Sequence, residues 1–254
     1  MTSVRAIERL EVGGARTATT DLIVDEAPLE LTARGALVAT ILRTPGHDRE
    51  LARGLAIAEG IAGAATATIT QVATDLIELD LPAAAFGARS LVASAACGLC
   101  GRATIADLER RAVEVTAEWR VDAAVIAALP DRLRAAQATF GATGGLHGAA
   151  LADRTGAILA VREDVGRHNA LDKVIGWAAE HDRLPGGALI AILSGRLGYE
   201  LAQKAVAAGI PIVVAISAPS TLAIDVCERF GVTACGFVRG GRMNLYSHGW
   251  RVTQ

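Results

Sequence analysis

The chain has 254 residues and a formal net charge of −2, long enough for one large domain or two smaller ones and without the basic footprint of a nucleic-acid binder. Much of its 52% hydrophobic content is scattered alanine, and the strongest apolar runs, Ala188–Leu193 and Ile210–Ile216, fall far short of the roughly 20 residues that span a bilayer. Four cysteines are too few for a disulfide framework at this length, and Met1–Glu11 alternates apolar with charged residues without a signal-like apolar core, so a reducing cytoplasm is expected.

The first third reads mostly as strand. Leu22 and Val24, Leu29 and Leu31, then Ala36, Val38, Thr40 and Leu42 follow period-2 spacing, punctuated by Pro28 and Gly35. A helix is predicted from about Asp48, burying Leu51, Leu55 and Ala58 and stopping at Gly60. A further alternating stretch runs from Thr68 to Leu81. The chain then approaches Cys97 through Ser90–Ala96. Beyond Cys100, Ile105, Leu108 and Ala112 have helical spacing, and Pro130 is predicted to open a second helix ended by Gly141. A boundary near Trp119 divides a strand-rich domain, 1–118, from an α/β domain, 119–254.

The second half has a clearer pattern. His147–Asp153 and Ala157–Arg162 read as a hairpin around Thr155-Gly156, and a helix starting near Arg167 places Leu171, Val174, Ile175 and Ala178 on one face. Strands at Ala188–Leu193, Ile210–Ile216 and Val232–Val238 alternate with helices at Tyr199–Ala208 and Leu222–Phe230. Apolar strands with helical crossovers predict a parallel sheet, α/β in this half and α+β over the whole chain.

Two chemical features stand out. Cys97-Gly98-Leu99-Cys100-Gly101 places two thiols three residues apart, just before a predicted helix whose N-terminal dipole would favour a thiolate. A thiolate can attack sulfur, carry a persulfide or bind metal, and the motif alone does not choose. The second feature is the set of loops at the carboxyl ends of the three strands: Ser194-Gly195-Arg196, Ser217-Ala218-Pro219-Ser220, and Arg239-Gly240-Gly241-Arg242. Ligands of open parallel sheets settle at such ends. Glycine admits a close backbone approach, hydroxyls donate hydrogen bonds and arginine grips phosphate, so the three together point to a phosphorylated, nucleotide-like ligand. Taken singly, each is also ordinary turn chemistry.

With these motifs in place, the sequence resembles the formate dehydrogenase accessory sulfurtransferase family (FdhD/NarQ). The likeness covers nearly the whole chain. It is carried by Glu26–Glu30, Arg43-Thr44-Pro45-Gly46, Glu59-Gly60-Ile61, the Cys97–Gly101 motif, and Thr143-Gly144-Gly145 with His147. It continues through the highly specific block Asp164–Lys173, Ser194-Gly195-Arg196, Gly209-Ile210-Pro211, Ser217-Ala218-Pro219, and Gly236–Arg239 through Asn244–Tyr246. Gly198 stands where the family would have a serine, and Thr221 follows Ser220 in a loop usually written slightly differently.

The resemblance implies a sulfur carrier that accepts sulfur from a cysteine desulfurase. The acceptor would be the molybdenum (or tungsten) bis(molybdopterin guanine dinucleotide) cofactor of formate dehydrogenase. Cys97 would hold the persulfide, and Cys100 would protect it, resolve it or assist the relay. Cofactor binding would fall to Phe237, Val238, Arg239, Gly240, Gly241 and Arg242, with Ser194, Gly195, Arg196, Ser217, His147 and His168 around them. The family also implies a homodimer and a likeness of the α/β domain to the cytidine deaminase fold. Deaminase chemistry is not expected, because zinc deaminases need His-x-Glu followed by Pro-Cys-x-x-Cys. Here His147 is followed by Gly148-Ala149, and the cysteines come first and without a proline.

Other readings stay open. Cys97 and Cys100 with His147 and His168 have the chemistry to hold zinc, although no second close-spaced ligand pair is present. A thioredoxin-like dithiol would sit just after a strand of an early βαβ unit, which this region does not resemble. A cofactor chaperone would use the same loops and tolerate loss of the thiols. Cys227 and Cys235 read as small buried hydrophobes. His168 could equally brace its helix, and Asp172 and Lys173 could pair structurally. His47, His181 and His248 read as surface residues.

Overall fold

A computed structural model describes residues 2–86, 91–93 and 113–254. Cys97, Cys100, most of the Ser90–Ala96 approach and the helix expected at 105–112 lie outside these residues. Two paired strands, β1 (Thr2–Leu10) and β2 (Arg16–Val24), form an antiparallel hairpin. The chain then builds a five-stranded sheet from β3 (Ala27–Ala33), β4 (Ala36–Arg43), β5 (Ile69–Ala73), β6 (Leu76–Leu79) and β7 (Leu91–Ala93), ordered β5-β6-β3-β4-β7. The expected stretch from Thr68 to Leu81 is thus a hairpin of two strands.

Helix α1 (Asp48–Ala58) forms as expected, with Leu51, Leu55 and Ala58 buried. The face expected of β4 is kept only at Val38, which is buried. Ala39, Ile41 and Arg43 are buried, whereas Thr40 and Leu42 are half-buried, because the β3–β4 pairing slips between Leu31 and Thr32 and shifts the alternation. Arg43 then ends inside the protein, where its guanidinium donates to both oxygens of Asp48 (3.1 and 2.9 Å) and to Asp75 (2.7 Å).

The second half begins with β8 (Val121–Asp122), followed by α2 (Ala123–Ala136) and the short α3 (Ala138–Thr143). Pro130 lies inside α2 instead of opening it. Asp122 caps that helix by accepting from the Ala124 N–H at 2.6 Å, so the capping side chain fixes the start. Gly141 lies within α3, which ends at Gly144 in the left-handed region (φ 69°).

A six-stranded sheet follows, ordered β10-β9-β11-β12-β13-β14. Its strands are β9 (His147–Ala152), β10 (Ile158–Asp164), β11 (Ile190–Leu193), β12 (Ile212–Ala215), β13 (Thr233–Arg239) and β14 (Arg242–Ser247), and β15 (Val252–Thr253) pairs with β8. Helices α4 (Arg167–Glu180), α5 (Tyr199–Ala207) and α6 (Thr221–Arg229) lie between the strands as predicted. Only the β11–β12 and β12–β13 pairings are parallel; the antiparallel pairings of β9, β10 and β14 make the sheet mixed. The β13–β14 link is two residues long, and so short a turn joins only antiparallel strands. The architecture is mixed α/β.

Two apolar layers cover this sheet. On one face Ala149, Leu151 and Ala191 pack with Leu171, Val174 and Ile175 of α4, and on the other Ala150, Ile192 and Val214 pack with Ile126, Leu129 and Leu133 of α2. A third layer joins the five-stranded sheet to α1. Helices α1 and α4 cross backbone to backbone: a Cβ on Gly54 would lie 1.9 Å from the Asp172 carbonyl oxygen, and one on Gly176 would lie 1.9 Å from that of Glu50. Residues 113–118 already lie against the second sheet, where the Val115 N–H donates to the Phe230 carbonyl (2.9 Å) and Arg251 donates to that of Ala117 (2.8 Å).

Candidate functional site

The carboxyl ends of β11, β12 and β13 carry the three loops singled out in the sequence, and backbone hydrogen bonds lace the first two together and tie them to β13 at Phe237, forming one rim. Ser217 N–H donates to the Gly195 carbonyl (3.3 Å), Leu197 N–H to Ala218 (3.2 Å), Ser220 N–H to Leu197 (2.9 Å) and Phe237 N–H to Ser217 (3.1 Å). Ser194 is tied to β9, its hydroxyl accepting from the Gly148 N–H at 2.8 Å. Ser194, Gly195 and Ser217 are half-buried, whereas Arg196, Arg239 and Arg242 are exposed.

The β13–β14 turn presents several of these groups. Arg239 pairs with Arg242 across Gly240 and Gly241, both in the left-handed region (φ 56° and 72°) that such a tight turn demands. Phe237 also takes a positive φ of 51° and is 36% exposed, with the Arg239 guanidinium 5.8 Å from its ring centre. An exposed aromatic in a strained conformation beside an arginine suits stacking and phosphate contact. Val238 does not join them. It is fully buried in the layer containing Ile126 and Leu129, so the alternation of the strand gives it a packing role.

His147 opens β9 against this rim: a Cβ on Gly195 would sit 3.7 Å from its Nδ1. Burial, reinforced by the nearby charges of Arg167 and His168 and opposed by Asp164, pushes its pKa below the ordinary 6.5. The shift favours the neutral ring. His168 stands in the first turn of α4, with Nε2 2.9 Å from Glu200 Oε2 in the first turn of α5. Burial works to raise the Glu200 pKa, but the hydrogen bond and charge of His168 hold it below its usual value.

Glu200 was not marked by the sequence reading. The one local signal for it is an acidic residue in the first turn of a helix that begins after a rim loop. Gln137, buried over Gly148 with its Nε2 unpartnered among the described residues, was also missed and has no sequence signal.

The Asp164–Lys173 block acts as a buckle between the two sheets. Lys173 Nζ lies 2.7 Å from Asp164 Oδ2 and donates to the Thr44 carbonyl at 2.9 Å. Asp164 also accepts from the Thr44 N–H, and Asn169 donates to the Leu42 carbonyl (2.8 Å). Asp172 accepts from Lys204 at 2.7 Å. Asp172 and Lys173 are thus paired structurally, and the block delivers His168 to the rim. A groove lined by Asp153, Arg154, Arg183 and Leu184 opens at the opposite end of β11, away from these residues.

Cys227 and Cys235 are fully buried, and burial pushes both thiols up to about 12. Neither presents a thiolate near neutrality. In native protein at pH 8 both are expected to resist iodoacetamide and to be carbamidomethylated only after denaturation. Mass mapping of native label onto either residue would contradict their burial. Among the described residues, no group of three or more His, Cys, Asp or Glu is arranged to hold a metal ion. Cys97 and Cys100, the proposed zinc ligands, are not among those residues. His47 is exposed and pairs with Glu50 at 3.4 Å, His181 is exposed and stacks on Trp177, and His248 is half-buried, with Nε2 2.8 Å from the Glu228 carbonyl oxygen.

Comparison with known proteins adds three findings. The pattern of the FdhD/NarQ family matches residues 24–253. "Sulfur carrier protein FdhD" of Mycolicibacterium paratuberculosis is 42% identical, over 99% of both chains, and the protein of the same name from Nocardia farcinica is 43% identical, over 99% of this chain and 95% of its own. A crystal structure from Desulfotalea psychrophila, assigned as a formate dehydrogenase accessory protein, shares the fold with a TM-score of 0.80 and 22% identity over 99% of each chain. The extent of the family match and the full-length identity to these relatives lead to one conclusion: the chain belongs to the FdhD/NarQ family.

Proposed function

We propose that this protein is a sulfurtransferase that carries sulfur from a cysteine desulfurase, as a persulfide on Cys97, to the molybdenum (or tungsten) bis-guanine-dinucleotide cofactor of formate dehydrogenase. The observation that carries this reading is an elimination within the family frame. The full-length relatives are named sulfur carriers, and of the four cysteines two are buried with thiols near 12, leaving Cys97 and Cys100. The Cys97 thiolate attacks the terminal sulfur of the donor persulfide; that sulfur moves to Cys97 and the donor leaves as thiolate. Attack by Cys100 on Cys97 would form a disulfide and release the sulfur as sulfide.

The laced rim supports the second half of the reading. Ser194, Gly195, Arg196, Ser217, Phe237 and Arg239–Arg242 offer hydroxyls, backbone groups, an aromatic face and guanidinium groups to a phosphorylated cofactor. A cytoplasmic homodimer completes the proposal. A cofactor chaperone would use the same rim without the thiols. Incubation with a cysteine desulfurase and cysteine, followed by intact-mass measurement without reductant, is expected to show the gain of one sulfur atom. A reduced, folded sample that gains none beside an active desulfurase would favour the chaperone.

A further inference from the structure

The β1–β2 hairpin stands apart from the three apolar layers of the protein. Each of its strands has nine residues, and none of them is buried. Its base is held: the Ser3 hydroxyl donates to Asp25 (2.6 Å), and Val24 lies against Gly145, where an added Cβ would sit 3.2 Å from it. Beyond the base, neither strand pairs with any other described strand. Two strands without a covered face are at best marginally stable in water. The family pattern begins at residue 24, so the match assigns no role to them.

The register sorts the hairpin into two unlike faces. Val4 stands opposite Leu22, Ala6 opposite Thr20, Glu8 opposite Ala18 and Leu10 opposite Arg16. Residues directly opposite share a face, and the face alternates along each strand. One face therefore gathers Val4, Ala6, Leu10, Ala18 and Leu22, with Val4 67% and Leu10 62% exposed. Arg5, Arg9, Thr17, Thr19 and Asp21 make the other face mostly polar. Glu8 and Arg16 of the apolar face pair with each other at 3.0 Å, which leaves that face neutral. Apolar side chains gathered on an exposed face mark a contact surface.

Area decides the occupant. Nine residues rising about 3.3 Å each make an arm about 30 Å long, and two strands about 5 Å apart make it about 10 Å wide. One face then covers roughly 300 Å². A single arm on an unrelated protein buries roughly 600 Å² counting both surfaces, too little for a stable interface. Two arms exchanged between identical copies bury roughly 1,200 Å², where stable interfaces begin. Because the face is neutral, a copy related by a two-fold axis meets no like-charge repulsion.

We propose that the β1–β2 hairpin is a dimerisation arm whose face of Val4, Leu10 and Leu22 lies on a second copy of this chain, each copy receiving the arm of the other. The arm rests on the homodimer reading above and names its surface.

Sedimentation velocity of the full chain over a dilution series, with hydrogen–deuterium exchange of peptides covering residues 2–24, tests the arm. Wild type is expected to be dimeric, with hairpin amides that lose protection as dilution separates the copies. Val4→Glu combined with Leu10→Glu is expected to raise the dimer dissociation constant about tenfold or more, since two charges enter an apolar contact. Thr17→Glu, with its added charge on the opposite face, is expected to leave that constant unchanged. All three positions are exposed, and circular dichroism should show each variant folded. A wild-type dimer with an unprotected hairpin, or one that the double variant does not weaken, would overturn the arm and leave the homodimer standing. A chain that stays monomeric throughout would overturn both. If that monomer's hairpin gained protection on adding a cysteine desulfurase, the surface would belong to another protein.

Discussion

Cys97→Ala is expected to yield a folded chain that gains no sulfur from a cysteine desulfurase and does not activate formate dehydrogenase. The argument is one of access to thiolate chemistry. A persulfide carrier must attack a donor sulfur, which needs a thiolate at an approachable position, and Cys227 and Cys235 are fully buried with thiols near 12. No described thiol can therefore replace Cys97. The variant should keep its unfolding transition and its affinity for guanosine diphosphate, since rim, buckle and cores are built from other residues. Intact mass, thermal unfolding and activation of formate dehydrogenase in a strain lacking its own accessory protein read these outcomes separately. Full activation by the variant would sink the persulfide mechanism.

Gly54→Ala is expected to lose about 3 kcal/mol of stability or more, through overpacking where nothing can yield. In an exposed helix the same change would gain about 1 kcal/mol, so even the sign of the effect is diagnostic. The new methyl would sit 1.9 Å from the Asp172 carbonyl oxygen, and the reciprocal contact at Gly176 shows that neither helix has slack. Separating the helices would also strain bonds that span the same crossing, such as Lys173 to Thr44 and Arg162 to Glu50 (2.6 Å). For a chain of this size the melting temperature should fall by roughly 6–12 °C. Chemical denaturation checks it; a stabilised Gly54→Ala would mean that the helices do not cross this closely.

Much of the fold was legible because burial imposes a period. The apolar strands β11, β12 and β13, the α4 face of Leu171, Val174, Ile175 and Ala178, and the glycine turn at 240–241 all lie where local pattern puts them. Legibility failed where a distant or competing contact set the local outcome. The buried face of β4 depends on a slip in its pairing with β3. The start of α2 follows the Asp122 cap, leaving Pro130 inside the helix. Val238 reads as part of a ligand loop in sequence, but strand alternation turns it into the core.

The sequence by itself determined the mixed α/β class, the cysteine motif, the rim loops and the family resemblance, because periodicity and motif spacing are properties of neighbouring residues. Tertiary structure alone decided which polar groups share a desolvated space. Lys173 finds Thr44 across 129 positions, Asn169 finds Leu42 across 127, and Lys204 finds Asp172 across 32. His168 finds Glu200 on another helix, and its other ring nitrogen has no partner among the described residues. A buried polar group must be satisfied wherever the fold brings a partner, and that choice is made by packing between elements, which leaves no local trace in the chain.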